Sequence, residues 1–351
     1  VSDLPFQRIV LFGTGLIGGS LALALRRAVP ALTVTGVDPA AGDEALARGV
    51  VDALIADGDE EALDAALAAA DVVVLAAPVA QSATLLARAA STLRPDAVIT
   101  DVGSVKHDIV AAACDLAGPR WRRFVPAHPI AGSEANGPAA ARADLFAGKT
   151  TILCADAADA DAAQQVAAIW RAVGARTLAM SAVQHDAVFS AVSHLPHVLA
   201  FAYLEQVLHR DDAAATLALA GSGFRDFTRI AASDPAVWRD ICLANRQPLL
   251  RDIDGLLARL TSLRKAIASD DGAGLHRRFA AAANARRQWP AQAAAVPTVT
   301  SHGAPPEALS DALPAAPHET LPDTPHETLP GTPHETPPEA PSNAPSDTSK
   351  P

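Results

Sequence analysis

The apolar run RIVLFG (residues 8–13) passes directly into GTGLIGGS (13–20), and this junction constrains the chain more than any other stretch. Gly13, Gly15 and Gly18 fall in G-x-G-x-x-G spacing, with a strand-like run before them and a leucine- and alanine-rich, helix-like run after. That spacing alone is common, but between a strand and a helix each glycine has its own physical task. Gly13 permits a tight turn and Gly15 lets backbone approach a pyrophosphate. Gly18 lets the helix pack closely on the sheet, with its N-terminus toward the phosphates.

Asp38 ends the second strand-like run, LTVTGVD (32–38), 20 residues after Gly18. A carboxylate there accepts hydrogen bonds from a ribose diol and repels a 2′-phosphate, so the expected cofactor is NAD rather than NADP. DVVVLAAP (71–78) and AVITDVGS (97–104) are continuous apolar runs, as in strands covered by helices on both faces. TTILCA (150–155) and ARTLAMS (175–181) are expected to extend the same sheet. The fold class is therefore α/β, an N-terminal Rossmann-type, doubly wound sheet over residues 1–180. Thr14, Leu16 and Ile17 in the glycine turn, with Ala77, Pro78, Val102 and Gly103 at carboxyl ends of later strands, complete the expected cofactor contacts.

From about residue 181 the strand signals give way to apolar residues at three- and four-residue intervals, so 181–292 reads as an all-α domain. Residues 293–351 repeat PHETLPDT, PHETLPGT and PHETPPEA; rich in proline, acid and threonine, this tail is expected to be disordered. After residue 294 there are eight acidic side chains and one lysine, so seven of the eleven net negative charges sit there. The body has no basic field for nucleic acid. His318, His326 and His334, spaced along that tail without thiols, make a poor metal site, and no metal is expected.

Cys114, Cys154 and Cys242 have no pairing or metal-like spacing and read as buried apolar residues of a reducing compartment. No apolar run approaches the ~20 residues of a membrane span, and the N-terminal VSDLPFQRIV has no leader pattern, so a cytoplasmic location is the expectation.

Ser104 and Lys106, in TDVGSVK (100–106), offer a hydroxyl and a positive charge beside the expected nicotinamide, although Ser104 also suits a helix cap. His128, in VPAHPIAGSEANG (125–137), sits at a turn near the same sheet edge, where an imidazole can accept a proton from a substrate hydroxyl during hydride loss. Arg225 and Arg229 are four apart, with Asp226 and Asp240 nearby; one guanidinium can grip an acidic substrate, or the helix is laced by ion pairs. In VSHLPHVLAF (192–201), His194 and His197 can share a helical face that Pro196 bends toward the cleft. His194 is either packed and backbone-bonded or catalytic.

GTGLIGGS, DVGSVK, HPIAGSE, SHLPH and GFRDFTRIAASDPAVWRDI, in that order over roughly residues 6–290, resemble the prephenate dehydrogenases, a family that includes arogenate and cyclohexadienyl dehydrogenases of tyrosine biosynthesis. The resemblance implies an oxidoreductase that oxidatively decarboxylates prephenate with NAD. In that scheme His128 bonds the C4 hydroxyl and draws its proton, Ser104 orients His128 and the hydroxyl, and Arg229 binds a substrate carboxylate. His197 lies in the substrate pocket, with Asp186 and Asp226 close to it. The resemblance also implies a homodimer, in which Ser133, Glu134 and Trp238 complete the neighbouring site. Prephenate and arogenate differ by a keto or an amino group, and no residue decides between them.

Two other readings compete. A β-hydroxyacid dehydrogenase relies on a lysine in its helical domain, but no lysine occurs between Lys149 and Lys265. A non-catalytic NAD-binding sensor has no need of His128, Ser104 and Arg229 together.

Overall fold

The computed structural model describes Leu4 and residues 6–116, 119–133 and 135–294; the proline-rich tail and Glu134 lie outside these. The chain runs β1 (Arg8–Phe12), α1 (Leu16–Ala28), β2 (Thr33–Val37), α2 (Gly42–Ala47), β3 (Ala53–Leu54), α3 (Glu60–Ala69), β4 (Val72–Leu75), α4 (Ser82–Thr92), β5 (Val98–Asp101), α5 (His107–Cys114) and β6 (Phe124–Val125). These strands form one parallel sheet in the order β3-β2-β1-β4-β5-β6. The order reverses between β1 and β4, where a doubly wound sheet opens a crevice beyond its carboxyl ends.

Alternate residues of the continuous apolar runs go to opposite faces, and both faces are covered. Ile9, Leu11, Val72, Val74 and Val98 pack with Leu21 and Leu25 of α1 on one side. Val10, Phe12, Val73, Leu75 and Ile99 pack with Leu67 of α3 and Leu86 of α4 on the other. β3, two residues long, has no apolar run to announce it.

The next three strands correct one expectation. β7 (Ala127–Pro129), β8 (Thr150–Leu153) and β9 (Arg176–Ala179) do not extend the large sheet but form a second one, in the order β7-β8-β9, with α6 (Ala160–Ala172) between β8 and β9. Pro126 separates β6 from β7 and has no N–H to give a ladder, so the main sheet ends there. β7 then runs antiparallel to β8, with His128 opposite Ile152. Trp170 of α6, fully buried against Phe146, joins this layer to the core on the α1 side.

Every later element is helical: α7 (Ala182–Phe189), a π-helical turn (Ser190–His194), α8 (Leu195–Leu208), α9 (Ala213–Ala218), α10 (Ser222–Thr228), α11 (Pro235–Ala244), α12 (Arg246–Ala268) and α13 (Gly272–Ala294). Ser181 starts α7 with a capping box: its hydroxyl accepts from the Gln184 amide and the Gln184 side chain accepts from the Ser181 amide, both at 3.1 Å. Pro196 has no N–H for a carbonyl one turn back, and the ladder widens to π spacing just before it.

That adjustment keeps Ala182–Leu208 continuous over 27 residues, and by length and composition alone this helix is apolar enough to cross a membrane. Reading Pro196 as a break hides the run in the sequence. The run nevertheless buries His185, Asp186 and His194, which belong to a polar network described below.

Candidate active site

At the crevice the three glycines separate by what surrounds them. Gly13 has φ +87°, and a Cβ there would stand 2.5 Å from the Ala76 carbonyl oxygen. A Cβ on Gly18 would stand 2.2 Å from the Gly13 carbonyl oxygen and 2.9 Å from the Ala76 Cβ. A Cβ on Gly15 would meet nothing within 4 Å. Two glycines thus answer to the protein's own packing, and the third faces open space. α1 begins at Gly15 without a side-chain cap and without an acidic residue in its first turn, so its leading amides suit the pyrophosphate of a dinucleotide.

Asp38 braces this turn. Its Oδ2 accepts from the Thr14 amide at 2.8 Å and the Thr14 hydroxyl at 2.9 Å, while its Oδ1 accepts from the amides of Ala40 and Ala41. Partial burial works to raise its pKa, but the bonds from Thr14, Ala41 and Ala40 outweigh that and hold it below the ordinary value. The carboxylate expected to meet a ribose therefore also pins β1 to β2. Ala77 and Pro78 follow β4, and Val102 and Gly103 follow β5, at the same edge of the sheet. The Val102 amide donates to the Leu75 carbonyl and the Gly103 amide to Asp101.

A second constellation stands where the β5–α5 loop, β7 and α7 meet. His128 Nδ1 and His185 Nε2 are 2.8 Å apart, and His185 Nδ1 is 2.7 Å from Asp186 Oδ1. Asp186 Oδ1 also accepts from the Lys106 amide and its Oδ2 from the His107 amide, each at 2.8 Å. Phe189 packs on both rings, 4.8 Å from His128 and 4.5 Å from His185 between centroids. Asp101, the last residue of β5, accepts from the amides of Ala127 and Gly103 and pairs with the Lys106 ammonium.

Burial drives the His128 pKa well below 6.5, and the charges of His185, Lys106 and His194 push the same way. Burial also lowers His185, against the pull of Asp186. Asp186 is raised by burial, yet the bonds from His185 and the two amides bring it below the usual carboxylate value. At neutral pH the pair is a neutral imidazole chain ending on a carboxylate.

A third group lies along the π turn and α11. The Asn245 side-chain amide donates to the Asp186 carbonyl and lies against His194 Nδ1, both at 2.8 Å. His194 Nε2 is buried. Burial brings this ring to a pKa of about 4, and the Ser104 backbone adjoins it. His197 donates from Nδ1 to the Ser193 carbonyl at 2.9 Å and lies flat on Trp238.

Several expectations need adjusting. The contact that orients His128 comes from His185; among the described residues no hydrogen bond joins Ser104 to His128. Lys106 does not present its charge to an open cleft, since it is fully buried on Asp101. Trp238 stacks on His197 of its own chain. Ser133 is exposed on the loop after β7, and Asp226 is exposed on α10. Arg229, also exposed, opens the short turn Arg229–Ala232, which packs against α8. The structure brings His128, His185, Asp186 and Lys106 together in one hydrogen-bonded cluster.

Sequence reasoning passed over His185, Asp101 and Asn245. The only local signal was the pair His185–Asp186 inside an otherwise apolar helix.

Comparison with known proteins shows the family. Residues 21–179 match the family described as "Prephenate dehydrogenase, nucleotide-binding domain", and residues 181–281 match "Prephenate dehydrogenase, dimerization domain". A cyclohexadienyl dehydrogenase of Zymomonas mobilis is 37% identical over 284 residues, covering 80% of this chain and 95% of that protein. A prephenate dehydrogenase of Bacillus subtilis is 35% identical, covering 80% of this chain and 76% of that protein. The crystal structure of prephenate dehydrogenase from Aquifex aeolicus, in complex with hydroxyphenyl propionate and NAD+, superposes with a TM-score of 0.75 at 32% identity, covering 82% of this chain and 99% of that one.

Proposed function

The chain belongs to the prephenate dehydrogenase family, and from that premise we propose that it catalyses the NAD-dependent oxidative decarboxylation of prephenate to 4-hydroxyphenylpyruvate, a step toward L-tyrosine. The observation that supports this most is His128: a neutral imidazole, backed by His185, on β7, where the neighbouring Ala127 amide is held by Asp101 at the carboxyl end of β5. The turn Gly13, Thr14, Gly15, Leu16, Ile17, Gly18 would hold the dinucleotide, with Asp38 at the ribose and Ala77, Pro78, Val102 and Gly103 along the nicotinamide end. NAD, when bound, supplies the hydride acceptor.

In this reading His128 accepts a hydrogen bond from the C4 hydroxyl and takes its proton as the C4 hydrogen departs. Ser104, on the loop beside it, contributes a hydroxyl to the same substrate group. Arg229 holds a substrate carboxylate, and His197, backed by Trp238, forms a wall of the pocket. By the resemblance of their motifs, Ser133, Glu134 and Trp238 complete the neighbouring chain's site, and Asp226 lies close to the substrate pocket. Loss of carbon dioxide from C1 makes the ring aromatic, so the driving force lies in the substrate. The protein's work is then to position the ring, polarise one hydroxyl and hold anionic groups.

The test is direct: prephenate and NAD with the full chain should raise absorbance at the reduced-nicotinamide band. NAD binding without turnover of prephenate or arogenate would overturn the reading in favour of a sensor. A second reading, arogenate or dual specificity, is favoured by the similarity to a cyclohexadienyl dehydrogenase. Comparing kcat/KM for the two substrates separates these.

We also infer a homodimer. The helical half exposes Val183, Val192, Leu219, Leu243 and Leu257, each more than half accessible, and this half matches a dimerization domain. Sedimentation of a single-chain species at micromolar concentration would remove this inference.

A further inference from the structure

The hydrogen positions on His128 follow from what stands behind it. Asp186 is the fixed end, because its two oxygens accept from the Lys106 and His107 amides and a carboxylate so held only accepts. His185 Nδ1, 2.7 Å from Asp186 Oδ1, must therefore carry a hydrogen. Burial keeps the ring neutral, which leaves a lone pair on His185 Nε2. That lone pair faces His128 Nδ1 at 2.8 Å, where only a donor makes a bond. A neutral His128 with its hydrogen on Nδ1 has its remaining lone pair on Nε2.

We propose that Asp186 and His185 set the tautomer of His128, with His185 as a positioning residue that keeps Nε2 of His128 an acceptor. The Nε2 lone pair is what a substrate hydroxyl needs, and in naming that hydroxyl the proposal rests on the prephenate reading. The groups that bear on His128 are His185 and Phe189 from α7, His194 from the π turn, and Lys106 from the β5–α5 loop with its partner Asp101. None gives His128 a carboxylate directly. When the hydroxyl O–H bond breaks and the Nε2–H bond forms, the positive charge on His128 strengthens its Nδ1–H bond to His185, and Asp186 acts through that second ring. The proton ends on His128 Nε2; His185 keeps its Nδ1 hydrogen and Asp186 stays an ionised acceptor.

The alternative tautomer requires a different arrangement. A hydrogen on His128 Nε2 would set the lone pairs of His128 Nδ1 and His185 Nε2 against each other at 2.8 Å. Relieving that clash would require a ring flip of His185, which would break its bond to Asp186.

The experiment uses the full chain labelled with nitrogen-15 histidine, with two variants. In the wild type the His128 ring should give a protonated Nδ1 and an unprotonated Nε2. His185→Leu should lower kcat on the order of a hundredfold with the KM for NAD unchanged, and its His128 should show the Nε2–H form. His185→Gln, whose side-chain oxygen can accept near the place of Nε2, should recover about tenfold or more of that loss. A wild-type His128 protonated on Nε2 overturns the proposal, and so does a glutamine variant as slow as the leucine one. The wild-type spectrum decides the tautomer even where a variant does not fold. It also separates the two readings: Nδ1–H without prephenate turnover supports the tautomer and sinks the substrate.

Discussion

The His197 imidazole lies on the Trp238 indole with ring centroids 3.5 Å apart and planes 16° from parallel. His194 meets the same indole edge-on, with centroids 6.1 Å apart. One residue of α11 thus touches two imidazoles carried by the π turn and α8. With Nδ1 committed to the Ser193 carbonyl, His197 has only Nε2 left to meet a ligand, and the indole fixes the plane in which it points.

Removing the indole should loosen that plane without touching the cofactor. Trp238→Ala is expected to raise the KM for prephenate several-fold to about tenfold, in keeping with ~1 kcal/mol for an aromatic pair. The KM for NAD should stay within twofold. Steady-state kinetics with each substrate varied in turn checks this, and an equal rise in both constants would contradict it.

The glycines separate packing from binding. Gly18→Ala puts a Cβ 2.2 Å from the Gly13 carbonyl oxygen, so the melting temperature should fall and NAD binding should go with it. Gly15→Ala meets nothing within 4 Å, so the chain should melt as the wild type does while the Kd for NAD rises. Thermal melts with cofactor titrations read both quantities.

The depressed pKa of His128 has a kinetic signature. An acceptor that resists protonation stays competent as pH falls through 6.5, where an ordinary imidazole would take up a proton. The acid limb of kcat/KM for prephenate should therefore have its midpoint well below 6.5. A midpoint at or above 6.5 would assign the limb to another group.

His194 should show itself in stability. Its folded pKa is about 4, against about 6.5 for an unfolded imidazole. Between those values the unfolded chain binds a proton that the folded chain does not, so this contribution is complete above about pH 6.5 and is lost as pH falls toward 4. At about 1.4 kcal/mol per pKa unit the loss is on the order of 3 kcal/mol. His194→Gln should flatten the change in melting temperature between pH 7 and 4.5; an unchanged slope would mean that other groups carry it.

The parts of this protein that local pattern controls were legible. The glycine turn, four of the six strands of the large sheet and the change to helix near residue 181 each leave a mark within ten or so residues. The second sheet was not legible, because it is decided by Pro126 ending one ladder and by a three-residue strand finding β8 across a long loop. His128 and Asp38 were found, but their partners were not equally visible. The Thr14–Asp38 bond joins residues 24 apart within one βαβ unit, whereas His128 and His185 are 57 apart and belong to different layers. Lys106 was misjudged for the same reason: its burial depends on Asp101 turning inward, which no spacing reveals.

The widened turn at Ser190–His194 sets a phase. His185 and Asp186 precede it, and His197 follows it. Because each residue of an α-helix advances the azimuth by about 100°, excising a single residue there would leave the upstream pair seated and swing the downstream imidazole more than a quarter-circle off its indole. One surplus residue is the clockwork by which two stretches of a single rod aim at the same spot.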